Sequence, residues 1–121
     1  MKMKSLLAIA ACAWTLSASA QSIAPKREFR GAWIQCVNGQ FQGMNAQRMK
    51  SVLTAQLDAS KKAGINAIIS QIRAEADALY QSSYEPWSRY LTGVQGKSPQ
   101  WDPLQWMIDE CHKRGMELHA W

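Results

Sequence analysis

Residues 29–121 predict an α/β fold built on a parallel sheet. Three observations lead there: β-rich apolar runs alternate with helical patterns, each helix carries its own start and stop residues, and the helix-to-strand turns are short. Strand, helix, strand, helix, strand in that order implies parallel neighbours joined by right-handed crossovers. From the pattern alone, a doubly wound sheet and a barrel fit equally well.

Phe29-Arg-Gly-Ala-Trp-Ile-Gln-Cys-Val37 is β-rich and mostly apolar, the composition of a strand buried on both faces. A polar connection follows over 38–43, with Gly39 and Gly43 at its turns. From Asn45 to Ala63, the residues Met49, Val52, Leu53, Leu57 and Ala63 recur at helical spacing, while Lys50, Asp58, Lys61 and Lys62 fall mainly on other faces. Asn45 is placed to cap this helix and Gly64 to close it. Ile65 to Arg73 is a second β-rich run that turns polar only at its end. Alternation puts Gln71 and Arg73 on one face, with Glu75 in line to continue it.

The long connection 74–101 is rich in charged and aromatic residues. Loops of that length are functional or disordered, and the aromatic content argues against disorder. Asp102-Pro103 then opens a second helix, with Asp as N-cap and Pro at the first helical position. Leu104, Met107, Ile108 and Cys111 form its apolar stripe, Lys113 and Arg114 suit the negative end of its dipole, and Gly115 stops it. Met116 to Trp121 is a third strand, with Glu117, His119 and Trp121 on one face and Met116, Leu118 and Ala120 on the other.

Ahead of this domain, residues 1–20 have the marks of a secretory signal: Lys2 and Lys4, an apolar run from Leu6 to Leu16, and the ending Ala18-Ser19-Ala20. Residues 21–28 read as a short linker, and export to the periplasm or the medium is expected. A competing reading takes Ile9-Ala10-Ala11-Cys12 as a lipoprotein box that lipidates Cys12; the short apolar stretch before Cys12 weighs against it. No run is apolar for long enough to make a transmembrane segment.

Losing Lys2 and Lys4 with the leader takes Lys+Arg from 14 to 12 against 9 Asp+Glu, so the formal charge falls from +5 to +3. The remaining basic residues are scattered rather than gathered into a stripe with aromatics, which sets nucleic acid aside as a partner. With Cys12 cleaved away, Cys36 and Cys111 remain. A disulfide is open to them in an oxidising compartment, but two buried cysteines acting as small apolar side chains is the favoured reading. No Cys/His spacing suggests a metal site, and the GxGxxG, GxxxxGK[ST] and GxSxG signatures are absent. No cofactor is expected.

Arg73, Glu75, Asp77, Tyr80, Glu85, Trp87 and Tyr90 cluster at and beyond the carboxyl end of the second strand, where parallel α/β sheets hold their ligands. Sugars offer hydroxyls to charged groups and flat C–H faces to Trp and Tyr, so this mixture suits carbohydrate. The competing reading pairs Arg73 with Glu75 or Asp77 and uses Trp87 and Tyr90 to pack the loop onto the rim. His119 and Trp121 share a face near the end of the third strand and reach toward the same mouth, whereas His112 reads as a surface or packing residue. Glycosidic hydrolysis needs an acid and a second carboxylate flanking the bond. Glu75, Asp77 and Glu85 are nominal suppliers, and the sequence singles out no pair.

Six ordered motifs carry a family resemblance: Phe29-Arg-Gly-Ala-Trp-Ile34; Gly64-Ile-Asn-Ala-Ile-Ile69 with Gln71-Ile-Arg73; Asp77-Ala-Leu-Tyr80; Glu85-Pro-Trp-Ser-Arg-Tyr-Leu-Thr-Gly93; Trp101-Asp-Pro-Leu104; and His112-Lys-Arg-Gly115 through Leu118-His-Ala-Trp121. Together they resemble the glycosyl-hydrolase-like family 10 proteins over essentially the whole mature chain. The resemblance implies a (β/α)8 TIM-type barrel, with residues 29–121 its N-terminal β/α units, in an exported glycoside hydrolase acting on a polysaccharide. Peptidoglycan glycan strands are a candidate substrate for some members. Ser70 stands where the family tends to have an aromatic residue and Ala74 where it tends to have proline, which loosens a turn.

In relatives the third strand continues into an Asn-Pro segment, and the acidic motif that looks catalytic follows a later strand. The resemblance therefore implies a truncated barrel, well short of the roughly 250 residues a whole one takes, which keeps one wall of a sugar cleft. Arg73, Asp77, Glu85, Trp87, His119 and Trp121 are the expected wall, with Arg73 and the acids orienting hydroxyls and Trp87 and Trp121 stacking on sugar faces. The alternative is a non-catalytic carbohydrate- or partner-binding fragment, because three strands of eight leave an open sheet edge.

Overall fold

A computed structural model describes residues 27–121. The expected leader and residues 21–26 of the expected linker lie outside the described residues. Strands β1 (Gly31–Ile34), β2 (Ala67–Ser70) and β3 (Glu117–Ala120) make one parallel sheet in the order β1-β2-β3. Helices α1 (Ala46–Lys62), α2 (Arg89–Thr92) and α3 (Pro103–Lys113) complete a mixed α/β architecture compatible with part of a barrel.

Register decides which side chains share a face. Trp33, Ile69 and His119 are aligned across the three strands, as are Ile34, Ser70 and Ala120 one residue further along. Strand side chains alternate, so these rows lie on opposite faces. Ile34 and Ile68 are buried in one core with Met49, Leu53 and Leu57 of α1 and Met107 and Cys111 of α3. Ser70, the residue that stands in an aromatic's place, is buried with its hydroxyl 3.8 Å from Met107 Sδ.

The other face carries no helix among the described residues: Phe29, Trp33 and Trp121 are 62%, 64% and 57% exposed. Among the described residues the helical layer covers one face of β1; in a closed barrel the other face lines the interior, where the remaining strands pack. Gly31 is itself exposed on this face, where an added Cβ would fall 2.7 Å from Ile69 Cδ1 and 2.9 Å from the Phe29 ring.

Local chemistry explains the helices. Asn45 caps α1 by accepting a hydrogen bond from Arg48 N at 2.9 Å, and the helix buries Met49, Leu53 and Leu57. Full burial is worth about 1.5–3 kcal/mol for each such side chain. Asp102 caps α3 in the same way, accepting from Gln105 N at 2.9 Å, and Pro103 fills the first turn. Arg114 ties the two helices together, donating to Asp58 on α1 and to Glu110 on α3, each at 2.7 Å. Among the described residues no helix is long and apolar enough to cross a membrane.

The 74–101 connection is ordered, as its aromatic content suggests. Leu79 N donates to Ile72 O at 3.0 Å, Ala78 pairs with Trp87 in an isolated parallel bridge, and Ser88 caps α2 by accepting from Tyr90 N at 3.2 Å. A four-residue helix is too short to display an apolar period, which is why α2 is absent from the sequence reading. Cys36 and Cys111 are both free and buried, in agreement with the favoured reading. Burial pushes each thiol up to about 11.

Candidate functional site

The carboxyl ends of the strands and the loop beyond β2 converge on one region. Trp121 is held there by its backbone: its N–H donates to Ser70 O at 2.8 Å, and its carbonyl accepts from Ile72 N at 2.7 Å and Arg73 N at 3.3 Å. The end of β3 is thus tied to the residues that launch Arg73. Gln71 performs a similar task toward β1, its Oε1 accepting from Cys36 N at 3.1 Å.

Arg73 Nε and Nη2 both bond Glu85 Oε1, so the pair spans the loop. This contact and the Glu85 charge raise the guanidinium above its usual value. Glu85 Oε2 is buried with no partner among the described residues. Glu75 makes a separate set of contacts: its Oε1 accepts from Arg89 Nη2 and from Tyr90 Oη, each at 2.9 Å. The pairing of Arg73 with Glu75 or Asp77, weighed from sequence, is corrected. The chain folds back between residues 75 and 89, so partners 12 and 14 positions apart meet instead of neighbours.

Asp77 lies beneath these pairs and has no exposed surface. Its Oδ1 accepts from Glu75 N at 3.1 Å, and its Oδ2 has no partner among the described residues. Between the two acids, Ala76 sits at φ 54°, a left-handed conformation costing roughly 1–2 kcal/mol for a residue with a Cβ. The Asp77–Glu75 hydrogen bond closes the turn around that residue and so fixes where Glu75 begins.

On the exposed face of the sheet, the Trp33 and Trp121 rings meet edge to face at 4.9 Å. Phe29 and His119 do the same at 5.4 Å, and His119 Nε2 lies 2.9 Å from Glu117 Oε2. Trp87 is half-buried and packs against the core. The Trp121 end of β3, tied to Arg73 through its carbonyl, and the arginine–carboxylate pairs of the loop offer an indole for an apolar sugar face and charged groups for hydroxyls. Among the described residues no group of three or more His, Cys, Asp or Glu could hold a metal ion.

The family model for Glycosyl hydrolase-like 10 matches residues 28–121. The chain belongs to this family. It is 48% identical over 108 residues to the glycosyl hydrolase YngK of Bacillus subtilis (strain 168), covering 86% of this chain and 21% of that protein. To the glycosyl hydrolase DigH of Escherichia coli (strain K12) it is 42% identical over 76 residues, covering 63% of this chain and 17% of that protein, and DigH of Shigella flexneri matches to the same extent. The chain thus spans about a fifth of the length of the curated relatives it matches.

Within this family 10-like segment, the structure brings Arg73, Glu85 and the Trp121 backbone together. His119 and the Trp121 indole lie on the open sheet face, Trp87 sits in the loop, and Asp77 lies below the surface. Sequence reasoning missed Trp33, Gln71 and Arg89. The alternation Phe29, Gly31, Trp33 was the available signal for Trp33, since that set faces away from Ile34 and Cys36. For Arg89 there was none, because its role depends on the fold of the loop.

Proposed function

We propose that this chain forms the first β/α units of a (β/α)8 barrel in an exported glycoside hydrolase, and supplies one wall of a cleft for polysaccharide, with peptidoglycan glycan strands as the substrate. The carrying observation is that the end of β3 meets the Arg73–Glu85 pair at the carboxyl ends of the strands, the Trp121 carbonyl accepting from Arg73 N at 3.3 Å. Membership of the family and the names of the relatives support a glycoside hydrolase-like role. The residue pattern of 1–20 supports export.

In this reading the indoles take sugar faces, Arg73 and Glu85 orient hydroxyls at the rim, and Asp77 sets the turn that presents Glu75. Hydrolysis needs an acid on one side of the bond and a second carboxylate on the other. Glu75 and Glu85 are engaged by arginines, so the leaving-group acid comes from later strands of the barrel. The test is hydrolysis of peptidoglycan glycan strands and a polysaccharide panel by residues 21–121, with YngK alongside and folding followed by thermal melting. Binding without hydrolysis by the chain, and hydrolysis by YngK, is expected. Hydrolysis by the chain with a cooperative melt would instead place the catalytic carboxylates among Glu75, Asp77 and Glu85.

A further inference from the structure

We infer that a pocket beside the mouth, lined by Gly39, Gln42, Arg89, Tyr90 and Gly93, is an outer subsite for one uncharged, hydroxyl-bearing sugar ring. The inference rests on the glycoside hydrolase reading above and assigns binding to residues outside the wall described there. Two connections that follow the carboxyl ends of strands build the pocket: the β1–α1 loop contributes Gly39 and Gln42, and α2 with its C-cap contributes the rest. Ligands of parallel α/β folds gather at that end.

Size limits the occupant. The cavity is about 250 Å³, below the roughly 300–1,000 Å³ that holds a drug-sized ligand, so it takes a single ring of a longer chain. The glycines keep it open: a Cβ added at Gly93 would meet nothing within 4 Å, and one at Gly39 would press on Gln42 Oε1 at 3.3 Å.

Hydrogen bonding sets the chemistry. Arg89 Nη2 is taken by Glu75 at 2.9 Å and Tyr90 Oη at 3.3 Å, while Nε and Nη1 have no partner among the described residues. The exposed Gln42 side chain also makes no hydrogen bond among them, leaving an amide donor and acceptor free. The Arg89 guanidinium lies 5.2 Å from the centre of the Tyr90 ring and occupies that aromatic face. Recognition here is therefore by hydrogen bonds to ring substituents rather than by stacking. Glu75 offsets the Arg89 charge, so the pocket as a whole favours a neutral sugar over an acidic one.

The experiment titrates residues 21–121 with a β-1,4-linked N-acetylglucosamine tetramer as the neutral probe and a galacturonic acid tetramer as the acidic one. Calorimetry gives affinity, and the indole N–H signals of Trp33 and Trp121 report the mouth. Gln42→Ala removes an amide with no protein partner. Gly93→Asn fills the pocket with a residue that tolerates the left-handed cap. Each variant is expected to bind the neutral tetramer about three- to tenfold more weakly; the melting temperature stays unchanged in Gln42→Ala and falls by a few degrees in Gly93→Asn, whose Cβ must take the positive φ. Wild-type affinity in both variants, with indole shifts intact, would overturn the subsite and leave the proposed function standing. Tighter binding of the acidic tetramer would overturn the neutral-sugar assignment. Binding of neither probe, without indole shifts, would overturn the proposed function along with the subsite.

Discussion

Replacing Asp77 by Asn separates what this residue does for the fold from what its charge does at the mouth. The carboxylate is fully buried, with Oδ1 accepting from Glu75 N at 3.1 Å and Oδ2 unpartnered among the described residues. An unsatisfied buried polar group costs about 1–3 kcal/mol, and a charged one costs more. Asn keeps the Oδ1 acceptor but puts an amide N–H with no acceptor among the described residues where the orphaned oxygen was, and it gives up the attraction between Asp77 and Arg73. These costs oppose the relief of removing a buried charge, so the variant should lie within about 1 kcal/mol of wild type, a Tm change of no more than about 8 °C. Asp77→Ala also removes the acceptor: Glu75 N loses its bond and Ala76 loses the contact that holds its positive φ. A loss of about 1–3 kcal/mol is expected there. Urea and thermal unfolding followed by circular dichroism at pH 7 measure both. An Asn variant less stable than wild type by 1 kcal/mol or more would refute the reasoning, since it would mean that the fold needs the Asp77 charge.

Leu57 is fully buried on α1, and its truncation to Ala should cost about 2–5 kcal/mol in urea unfolding; a loss under 1 kcal/mol would show that α1 does not carry the core. Burial raises Cys36 and Cys111 from 9.0 to about 11, with Asp77 and Glu75 adding to the effect at Cys36. Their contribution to stability is therefore fully present below pH 9, where both states keep the thiols protonated. It is lost as pH rises through 11, because the unfolded chain ionises first. Unfolding midpoints should fall across that window, and a thiol reagent at pH 8 should label the native protein only as fast as it unfolds.

The parts of the fold legible in the sequence were those governed by local chemistry. Asn45 and Asp102 cap their helices as their positions foretell, and the stripes Met49-Leu53-Leu57 and Met107-Cys111 are the buried ones. Strand extents were less legible: the run 29–37 contributes only Gly31–Ile34 to the sheet, because apolar composition does not mark where pairing stops. In the site, proximity in sequence misled. Arg73 has two acids within four positions yet bonds Glu85, since backbone pairing of Ala78 with Trp87 brings the far side of the loop back. The burial of Asp77 goes with the way the loop folds back on itself, and residue type alone does not record that.

The most direct test of the cleft-wall reading is a titration of residues 21–121 with solubilised peptidoglycan glycan strands, observed at the Trp33 and Trp121 indole N–H groups. The expected result is saturable shifts at both indoles and at Arg73 Nε, lost in Trp121→Ala while α1 and α3 keep their signals. Binding that leaves both indoles and Arg73 unmoved, or no binding at all, would contradict it.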